Sequence, residues 1–189
     1  GDLVYDPFMG RGTTVVEAAL LGRAVAGCDV NPLSLVLTKP RLAPPTLAQV
    51  SERLQSLDLT ACDGYPADLT VFFHPETLNT MCALRSYLRK RHADGTVDDV
   101  DEWIEMVAVN RLTGHSSGFF SVYTLPPNQA VSVDSQRKIN ARRKQAPVAR
   151  DVVQLILKKS KSLLRHCGAA TRRRLGTHAA RTQLLVQLS

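Results

Sequence analysis

The sequence has no long apolar segment. No apolar run approaches the roughly 18 consecutive residues that a membrane span requires, and no basic region followed by an apolar run opens the chain, so no secretion signal is predicted. There is no initiator methionine, and a predicted core strand begins within a few residues, so we expect the natural protein to be longer. With 189 residues, 44% of them apolar and 22% charged, the composition is that of a globular domain with a core.

Cysteines are few and scattered. They are Cys28, Cys62, Cys82 and Cys167. None forms a Cys-x-x-Cys pair and none has a histidine at zinc-ligand spacing, so neither a structural metal nor a disulfide is predicted. Isolated thiols fit the reducing cytoplasm, which is the predicted location.

Acidic residues are absent after Asp151. Residues 1–129 hold 10 Lys and Arg against 15 Asp and Glu, whereas residues 130–189 hold 14 against 2. A basic C-terminal third predicts contact with a phosphate backbone; the alternative is a solvated basic tail. The candidate nucleic-acid contacts are Arg137, Lys138, Arg142, Arg143 and Lys144, with interleaved Gln and Asn of the kinds that contact phosphates and base edges. The alternative for this stretch is a solvated loop.

The N-terminal segment predicts one βαβ unit and therefore an α/β fold. An apolar run at 3–5 indicates a buried strand, a helix is predicted at 15–21, and a second strand at 24–28 ends in Asp29. A glycine turn lies between the first strand and the helix. Strand, glycine turn, helix, strand and acid together predict a binding site for a nucleoside-containing cofactor.

The spacing of residues within this unit narrows the class of ligand that it can bind. Gly10 and Gly12 leave room for a ligand against the backbone and tolerate positive φ. Asp29 can accept hydrogen bonds from both hydroxyls of a ribose. A dinucleotide fingerprint would have a third glycine where Val15 stands, and Asp6 at the mouth of the loop would repel a diphosphate. An ammonium group, as in the methionine part of S-adenosylmethionine, suits Asp6 better, and an NAD enzyme is disfavoured.

The same residues resemble a known family. The run Asp-Pro-Phe-Met-Gly-Arg-Gly-Thr-Thr at 6–14, Glu-Ala-Ala at 17–19 and Gly-Cys-Asp-Val-Asn-Pro at 27–32 resemble the cofactor motif of the DNA amino-methyltransferases. These enzymes methylate the exocyclic amino group of adenine or cytosine in DNA, with S-adenosylmethionine as cofactor. The resemblance implies a partial Rossmann-like methyltransferase core, DNA as partner and a setting in restriction and modification, with a separate catalytic or restriction partner.

The resemblance also implies residue roles. Asp6, Phe8, Gly10, Gly12 and Thr13 would line the methionine side, Asp29 would hold the ribose, and Asn31, Pro32 and Leu33 would flank the adenine. The full set of implied cofactor-binding residues is Asp6, Pro7, Phe8, Gly10, Gly12, Thr13, Thr14, Asp29, Asn31 and Pro32. The alternative is an ordinary glycine turn with Asp29 capping the next element.

The rest of the chain predicts a helical insertion. The domains predicted are a cofactor-binding part over 1–73, a helical, candidate DNA-recognition region over 74–165, and a basic tail over 166–189 that is truncated or frame-shifted. Helices are predicted at 47–57, from Pro75, at 98–112 and at 147–165, and a break at 39–45, where prolines cluster. A weak strand is predicted at 69–73 and a final strand or short helix at 182–188. The acidic run at 98–102 is a charged first helical turn, not a metal site.

A loop with paired aromatics is predicted at 114–121. Two interpretations remain open for it. Phe119 and Phe120 fold the loop onto the core, or the loop belongs to a DNA-facing surface with an aromatic near a displaced base. His115 alone is weak evidence of catalysis.

A second motif of the resembled family is missing. Those enzymes need Asp, Asn or Ser followed by Pro-Pro and an aromatic, to accept hydrogen bonds from the target amino group and to stack on the flipped base. The Pro-Pro pairs here are Ala-Pro-Pro-Thr at 43–46 and Leu-Pro-Pro-Asn at 125–128, and neither fits. No catalytic residue is therefore assigned, and we expect a reading frame that ends early or shifts near Arg165.

Two function classes remain. The first is a DNA amino-methyltransferase, incomplete as it stands. The second is a non-catalytic module, or degenerate remnant, that binds S-adenosylmethionine and DNA, and the missing motif favours it for the chain alone. A methyltransferase acting on RNA or protein is a weaker third interpretation.

Overall fold

The computed structural model describes residues 2–60, 62–125, 131–179 and 182–186. The strands are β1 Leu3–Asp6, β2 Ala24–Asp29 and β3 Thr182–Val186. The α-helices are α1 Thr13–Leu20, α2 Leu33–Leu42, α3 Leu47–Ser56, α4 Pro75–Ala93, α5 Asp99–Val109, α6 Val133–Arg143, α7 Val152–Leu163 and α8 Ala169–Ala179, and a 3₁₀ helix covers Ala67–Val71. Of these described helices, none combines the length and the apolar composition needed to cross a bilayer.

The chain forms two compact units. The first, called here the sheet unit, comprises residues 1–50, 98–106 and 161–189, and the second, the helical unit, comprises 51–97 and 107–160. The α/β class and the predicted strand–helix–strand order at the N-terminus are confirmed.

The sheet unit contains one parallel sheet in the order β1-β2-β3. Gly27 pairs with Asp6 on one side and with Leu184 on the other. A buried cluster lies against the sheet, with the members Met9, Val15, Ala18, Ala19, Val25, Leu42 and Leu175. Because Leu175 belongs to α8, the last described helix and strand contribute to the same core as the N-terminal βαβ unit. Of the final strand or short helix predicted at 182–188, the strand is confirmed over Thr182–Val186.

The two faces of the sheet differ in burial. Val4 and Leu184 pack against the buried cluster. On the opposite face Leu3, Tyr5 and Leu185 are 63%, 61% and 59% exposed. Strands that advance in one direction across a parallel sheet place their right-handed crossover helices on one face. The described residues therefore leave Leu3, Tyr5 and Leu185 on the other face exposed.

This difference predicts opposite effects for two adjacent leucines. Leu184→Ala should lower the free energy of unfolding by about 1–3 kcal/mol, because the side chain packs against the cluster and lies close to Gly27. Leu185→Ala is the matched control and should change it by less than about 0.5 kcal/mol, since that side chain is exposed. Urea unfolding followed by circular dichroism measures both. Equal losses of unfolding free energy in the two variants would contradict the register of β3.

The break predicted over 39–45 is wrong in its first part. Helix α2 continues through Pro40 to Leu42. Proline in the last turn removes one hydrogen bond near the helix end, where few remain to be lost. Burial of Leu37, Thr38, Pro40 and Leu42 offsets that loss.

The helical unit has helices where they were predicted, but some of them begin or end at other residues. Helix α4 begins at Pro75, and its N-cap His74 accepts a hydrogen bond from the backbone N–H of Glu76 at 3.3 Å. Helix α7 begins at Val152 instead of Pro147. The cause is Asp151, whose carboxylate accepts from the backbone N–H of residue 154 at 2.9 Å and caps the helix there.

The strand predicted at 69–73 is wrong. Ala67–Val71 is a 3₁₀ helix, and Phe72 and Phe73 after it are both buried. Consecutive buried side chains suit a tight turn against a core, whereas an amphipathic strand would expose one of the two. The apolar composition that suggested a strand reflects burial of this turn.

Candidate cofactor-binding site

The loop between β1 and α1 is tied to the end of β2. The backbone N–H of Met9 donates to the carbonyl of Cys28 at 3.0 Å, and the buried Met9 side chain belongs to the core. Gly10 and Gly12 adopt φ of +51° and +74°, the left-handed region in which a side chain is strained. Gly12 is also the N-cap of α1, which has no side-chain cap.

Asp29 joins this loop to the following turn. One carboxylate oxygen accepts from the backbone N–H of Gly10 at 2.8 Å, and the other accepts from that of Asn31 at 2.9 Å. The hydrogen bond from Asn31 lowers the pKa of Asp29 most, then that from Gly10, with a smaller contribution from the Ser34 hydroxyl against the opposing effect of burial. The carboxylate is therefore charged at neutral pH. Its two oxygens offer about four acceptor positions, so some remain for the hydroxyls of a ligand.

The methionine-side residues predicted from the sequence lie at the end of β1 and the start of α1. The Asp6 carboxylate accepts from the backbone N–H of Phe8 at 3.1 Å. The Phe8 ring is 87% exposed, and Pro7, Thr13 and Thr14 are also exposed. An apolar ring standing in solvent beside a glycine turn suits contact with a bound ligand.

The residues predicted to flank the adenine follow β2. The Asn31 side-chain oxygen accepts from the backbone N–H of Leu33 at 3.0 Å. Pro32 is the N-cap of α2. Asn31, Pro32 and Leu33 are all exposed, so they border the same strand end as Asp29 with surface available to a ligand.

Two residues of α2 touch the loop and were missed by sequence reasoning. Arg41 donates from Nη1 to the carbonyl of Arg11 at 3.0 Å. Burial, and then the nearby charge of Arg11, lowers the pKa of the Arg41 guanidinium, which nevertheless stays charged. Thr38 is 0% exposed and lies against Gly12, and its hydroxyl has no hydrogen-bond partner. An unpaired buried hydroxyl costs about 1–3 kcal/mol. The sequence predicted a break at 39–45, which includes Arg41, and carried no signal for the packing of Thr38 on Gly12.

The residues present fit S-adenosylmethionine in their chemistry. Asp29 is a charged acceptor for a ribose diol at the end of β2. Asp6, at the end of the adjacent β1, supplies a carboxylate for an ammonium group. Beside the loop, Gly12 carries no side chain, and the buried Thr38 hydroxyl has no hydrogen-bond partner.

Comparison with known proteins shows what this part of the chain is similar to. A family model described as DNA methylase matches residues 1–37. Over 71 residues the chain is also 34% identical to the Type II methyltransferase M.MvaI of Kocuria varians, a stretch that covers 38% of this chain and 14% of that protein. The match thus spans a small part of the length of its relative. No solved structure matches the chain.

Outside the segment that matches the DNA methylase model, the basic stretch at 136–144 lies mainly in helix α6. The alternative of a solvated loop is therefore wrong. Arg137 pairs with Asp134 at 2.9 Å. The Arg143 guanidinium lies 3.8 Å from the centre of the Tyr123 ring. The candidate contacts Lys138, Arg142 and Lys144 are exposed, and Lys144 caps the helix with a φ of +50°.

The polar residues between these cations serve the fold of the helical unit. The buried Gln136 side chain donates to the carbonyl of Tyr123 at 2.9 Å and to Asn140 at 2.7 Å. Asn140 donates to the carbonyl of Val71 at 2.8 Å, and Gln145 donates to Asn140 at 2.8 Å. These amides bond within the protein, so the expectation that they read base edges is wrong for Gln136 and Asn140.

The loop at 114–121 is partly folded onto the core. Phe120 is buried, and its backbone N–H donates to the carbonyl of Arg111 at 2.8 Å. The Phe119 ring lies under the Arg111 guanidinium at 4.3 Å and so close to Gly114 that a Cβ there would be 2.5 Å from the ring. These contacts favour the core interpretation for both aromatics. The exposed His115 ring lies 6.2 Å from that of Phe119.

One of the two Pro-Pro pairs lies wholly within the described residues. The pair at 43–46 joins α2 to α3, where Thr46 and Gln49 form a reciprocal cap: Gln49 N–H donates to the Thr46 hydroxyl at 3.2 Å, and Thr46 N–H donates to the Gln49 side chain at 2.8 Å. This pair is a helix connection. The pair at 125–128 lies, except for its first residue, outside the described residues. The described ranges also hold no group of three or more His, Cys, Asp or Glu that could bind a metal.

Proposed function

We propose that this chain is the cofactor-binding part of a DNA methyltransferase that transfers a methyl group from S-adenosylmethionine to the exocyclic amino group of adenine or cytosine. The match of residues 1–37 to a family model described as DNA methylase supports it. The observation that carries it is the meeting of the charged Asp29 carboxylate with the Gly10 N–H at the ends of two adjacent parallel strands. Ligands of open α/β sheets bind outside these strand ends.

Each residue would contribute by binding and orientation. Asp29 would accept the ribose hydroxyls, and Asp6 would pair with the ammonium group. Gly10 and Gly12 would let the ligand lie against the backbone. The bound cofactor supplies a methyl group activated by its sulfonium. Transfer needs no metal and no covalent enzyme intermediate, so the protein's part is positioning and electrostatics.

A titration with S-adenosylmethionine tests the proposal. Isothermal calorimetry should give one site per chain for S-adenosylmethionine and no binding of NAD, which Val15 and Asp6 disfavour. Binding of NAD without S-adenosylmethionine would overturn it in favour of a nicotinamide enzyme. A parallel assay of radioactive methyl transfer to DNA addresses catalysis, and robust turnover would refute the expectation that this chain lacks its catalytic element.

We propose further that exposed cations of α6 contact the DNA backbone. The exposed cations of α6 belong to the basic C-terminal third of the sequence. The two chosen for the test are Lys138 and Arg142. They are exposed and four residues apart, which places them on one face of the helix. Such a contact with the DNA backbone would serve a methyltransferase that acts in restriction and modification. It would equally serve a non-catalytic DNA-binding module.

The double change Lys138→Ala and Arg142→Ala should weaken binding to duplex DNA regardless of sequence. The slope of log affinity against log salt should fall by about 1 for each phosphate that the variant no longer neutralises. Fluorescence anisotropy between 50 and 200 mM salt would measure it. Arg89→Ala, at an exposed cation of α4, is the control for net charge and should leave the slope nearly unchanged. An unchanged slope in the double variant would refute the proposed role of these two cations.

A further inference from the structure

Two of the four cysteines lie side by side in the helical unit. Cys62 follows α3 and Cys82 belongs to α4, and both are free and half-buried. The Cys62 thiol donates to the side-chain oxygen of Asn79 at 3.2 Å. The amide of Asn79 in turn donates to the carbonyl of Thr60 at 2.6 Å. These two hydrogen bonds hold the segment that carries Cys62 against α4.

Asn79 brings the two thiols together. Asn79 and Cys82 are three residues apart on α4, so their side chains lie on one face of the helix. The Cys62 and Cys82 thiols also share a hydrogen bond. Two thiols in contact, on backbone segments that are already tied to each other, are the arrangement from which an intramolecular disulfide can form.

The charges around the pair make Cys62 the first thiol to react. Burial, and then the charge of Cys62, raise the pKa of the Cys82 thiol, whereas the nearby Arg85 guanidinium lowers it. Cys82 is therefore the poorer source of thiolate, which is the attacking form in thiol–disulfide exchange. Once the Cys62 sulfur is bound in a disulfide it carries no charge, so it no longer opposes ionisation of Cys82.

We propose that Cys62 and Cys82 form an oxidative modification site, which a low-molecular-weight disulfide such as oxidised glutathione converts into a reversible intramolecular disulfide. The Cys62 thiolate attacks one sulfur of the oxidant, forms a mixed disulfide and expels one glutathione thiolate. The Cys82 thiolate then attacks the Cys62 sulfur and expels the second glutathione. The two protein thiols lose two electrons and two protons, and one oxidised glutathione becomes two reduced molecules. Neither the cofactor nor DNA takes part in this chemistry.

The disulfide closes a ring in the part of the helical unit that holds α6. The 3₁₀ helix and Phe72 lie within this ring. The carbonyl of Val71 accepts from Asn140 of α6 at 2.8 Å, and the carbonyl of Phe72 accepts from the backbone N–H of Val122 at 2.8 Å. A cross-link over the 19 residues between the two cysteines restricts the unfolded chain. Oxidation should therefore stabilise the helical unit.

Treatment of the reduced full chain with oxidised glutathione tests the site. Maleimide labelling under denaturing conditions should find two thiols where the reduced chain has four. Trypsin should release a peptide of residues 54–85 that is lighter by two hydrogen atoms, since no Lys or Arg lies between Leu54 and Arg85. The melting temperature should rise by about 5 °C or more, and dithiothreitol should reverse the rise.

Serine variants separate the two steps. Cys82→Ser should stop at the mixed disulfide, with one glutathione on Cys62, and neither Cys82→Ser nor Cys62→Ser should show the rise in melting temperature. Cys167→Ser is the matched control and should form the disulfide as the parent does.

The parent chain alone decides the outcome, even where a serine variant does not fold. Retention of all four thiols, a bond that joins another pair of cysteines, or a mixed disulfide that persists in the parent would overturn the site. A disulfide between Cys62 and Cys82 that leaves the melting temperature unchanged would refute its stabilising effect on the helical unit.

Discussion

Gly12→Ala is expected to lower the free energy of unfolding by about 2–5 kcal/mol and to abolish cofactor binding. Gly12 has a φ of +74°, and a side chain in this conformation costs about 1–2 kcal/mol. The new methyl group would also collide with the oxygen and methyl of Thr38, and overpacking costs about 1–3 kcal/mol more. Chemical unfolding monitored by circular dichroism measures the stability, and calorimetry the binding.

Gly10→Ala separates these two causes. Gly10 also has a positive φ, of +51°, but the nearest heavy atom to an added Cβ is the carbonyl oxygen of Phe8 at 3.9 Å. We therefore expect only the conformational cost there, about 1–2 kcal/mol. Adding Thr38→Ala to Gly12→Ala should recover part of the loss, since two of the three clashing atoms are then gone. Equal losses for the two glycines would show that contact with α2 is unimportant.

Asp29→Asn is expected to weaken S-adenosylmethionine binding by about 10- to 100-fold. The carboxylate accepts from the backbone N–H groups of Gly10 and Asn31 at 2.8 and 2.9 Å. An amide has one acceptor oxygen, so its NH₂ must face one of these donors or the ligand hydroxyls, and the charge that strengthens such bonds is lost. Asp58→Asn is a matched control. Asp58 also accepts from a backbone N–H, that of Thr60 at 3.0 Å, but belongs to the helical unit.

The same variant should change how stability depends on pH. The pKa of Asp29 in the folded protein lies below its ordinary value of 3.8, because hydrogen bonds from Asn31 and Gly10 favour the charged form. A lowered folded-state pKa contributes stability that is fully present above the unfolded value and is lost as the pH falls through the folded value. The difference between the parent and Asp29→Asn should therefore be constant at neutral pH and shrink below about pH 4. The unfolding free energy of the variant must be subtracted from that of the parent, because the pKa of Asp58 is also lowered and affects both proteins alike.

Local patterns predicted those elements whose signals were complete within a short stretch. The run from Leu3 to Asp29 carries its strand periodicity, its two turn glycines and its terminal acid within a single βαβ unit, and the structure reproduces it. Pro75 and the acid after it likewise marked the start of α4. In each case neighbouring residues supply the physical cause, namely strand burial, glycine conformation or helix capping.

Elements whose cause lies elsewhere in the chain were mispredicted. Pro40 indicated a break, but burial against the sheet unit keeps it helical. The alternative interpretation of the stretch around Asn140 was a solvated loop, yet this stretch is a helix with hydrogen bonds to Val71 and Tyr123, far away in sequence. Local propensity is a weak influence that tertiary packing overrides.

The sequence by itself determined the chemistry of the site: a glycine turn, an acid after the second strand, and the match of residues 1–37 to the DNA methylase model. These depend on residue types at close spacing. Only the tertiary structure decided that Thr38 and Arg41 buttress the turn and that Thr182–Val186 extends the sheet beside β2. Gly12 and Thr38 are 26 positions apart in the sequence, and Val25 and Thr182 are 157 positions apart. Only packing of the folded chain brings such residues together.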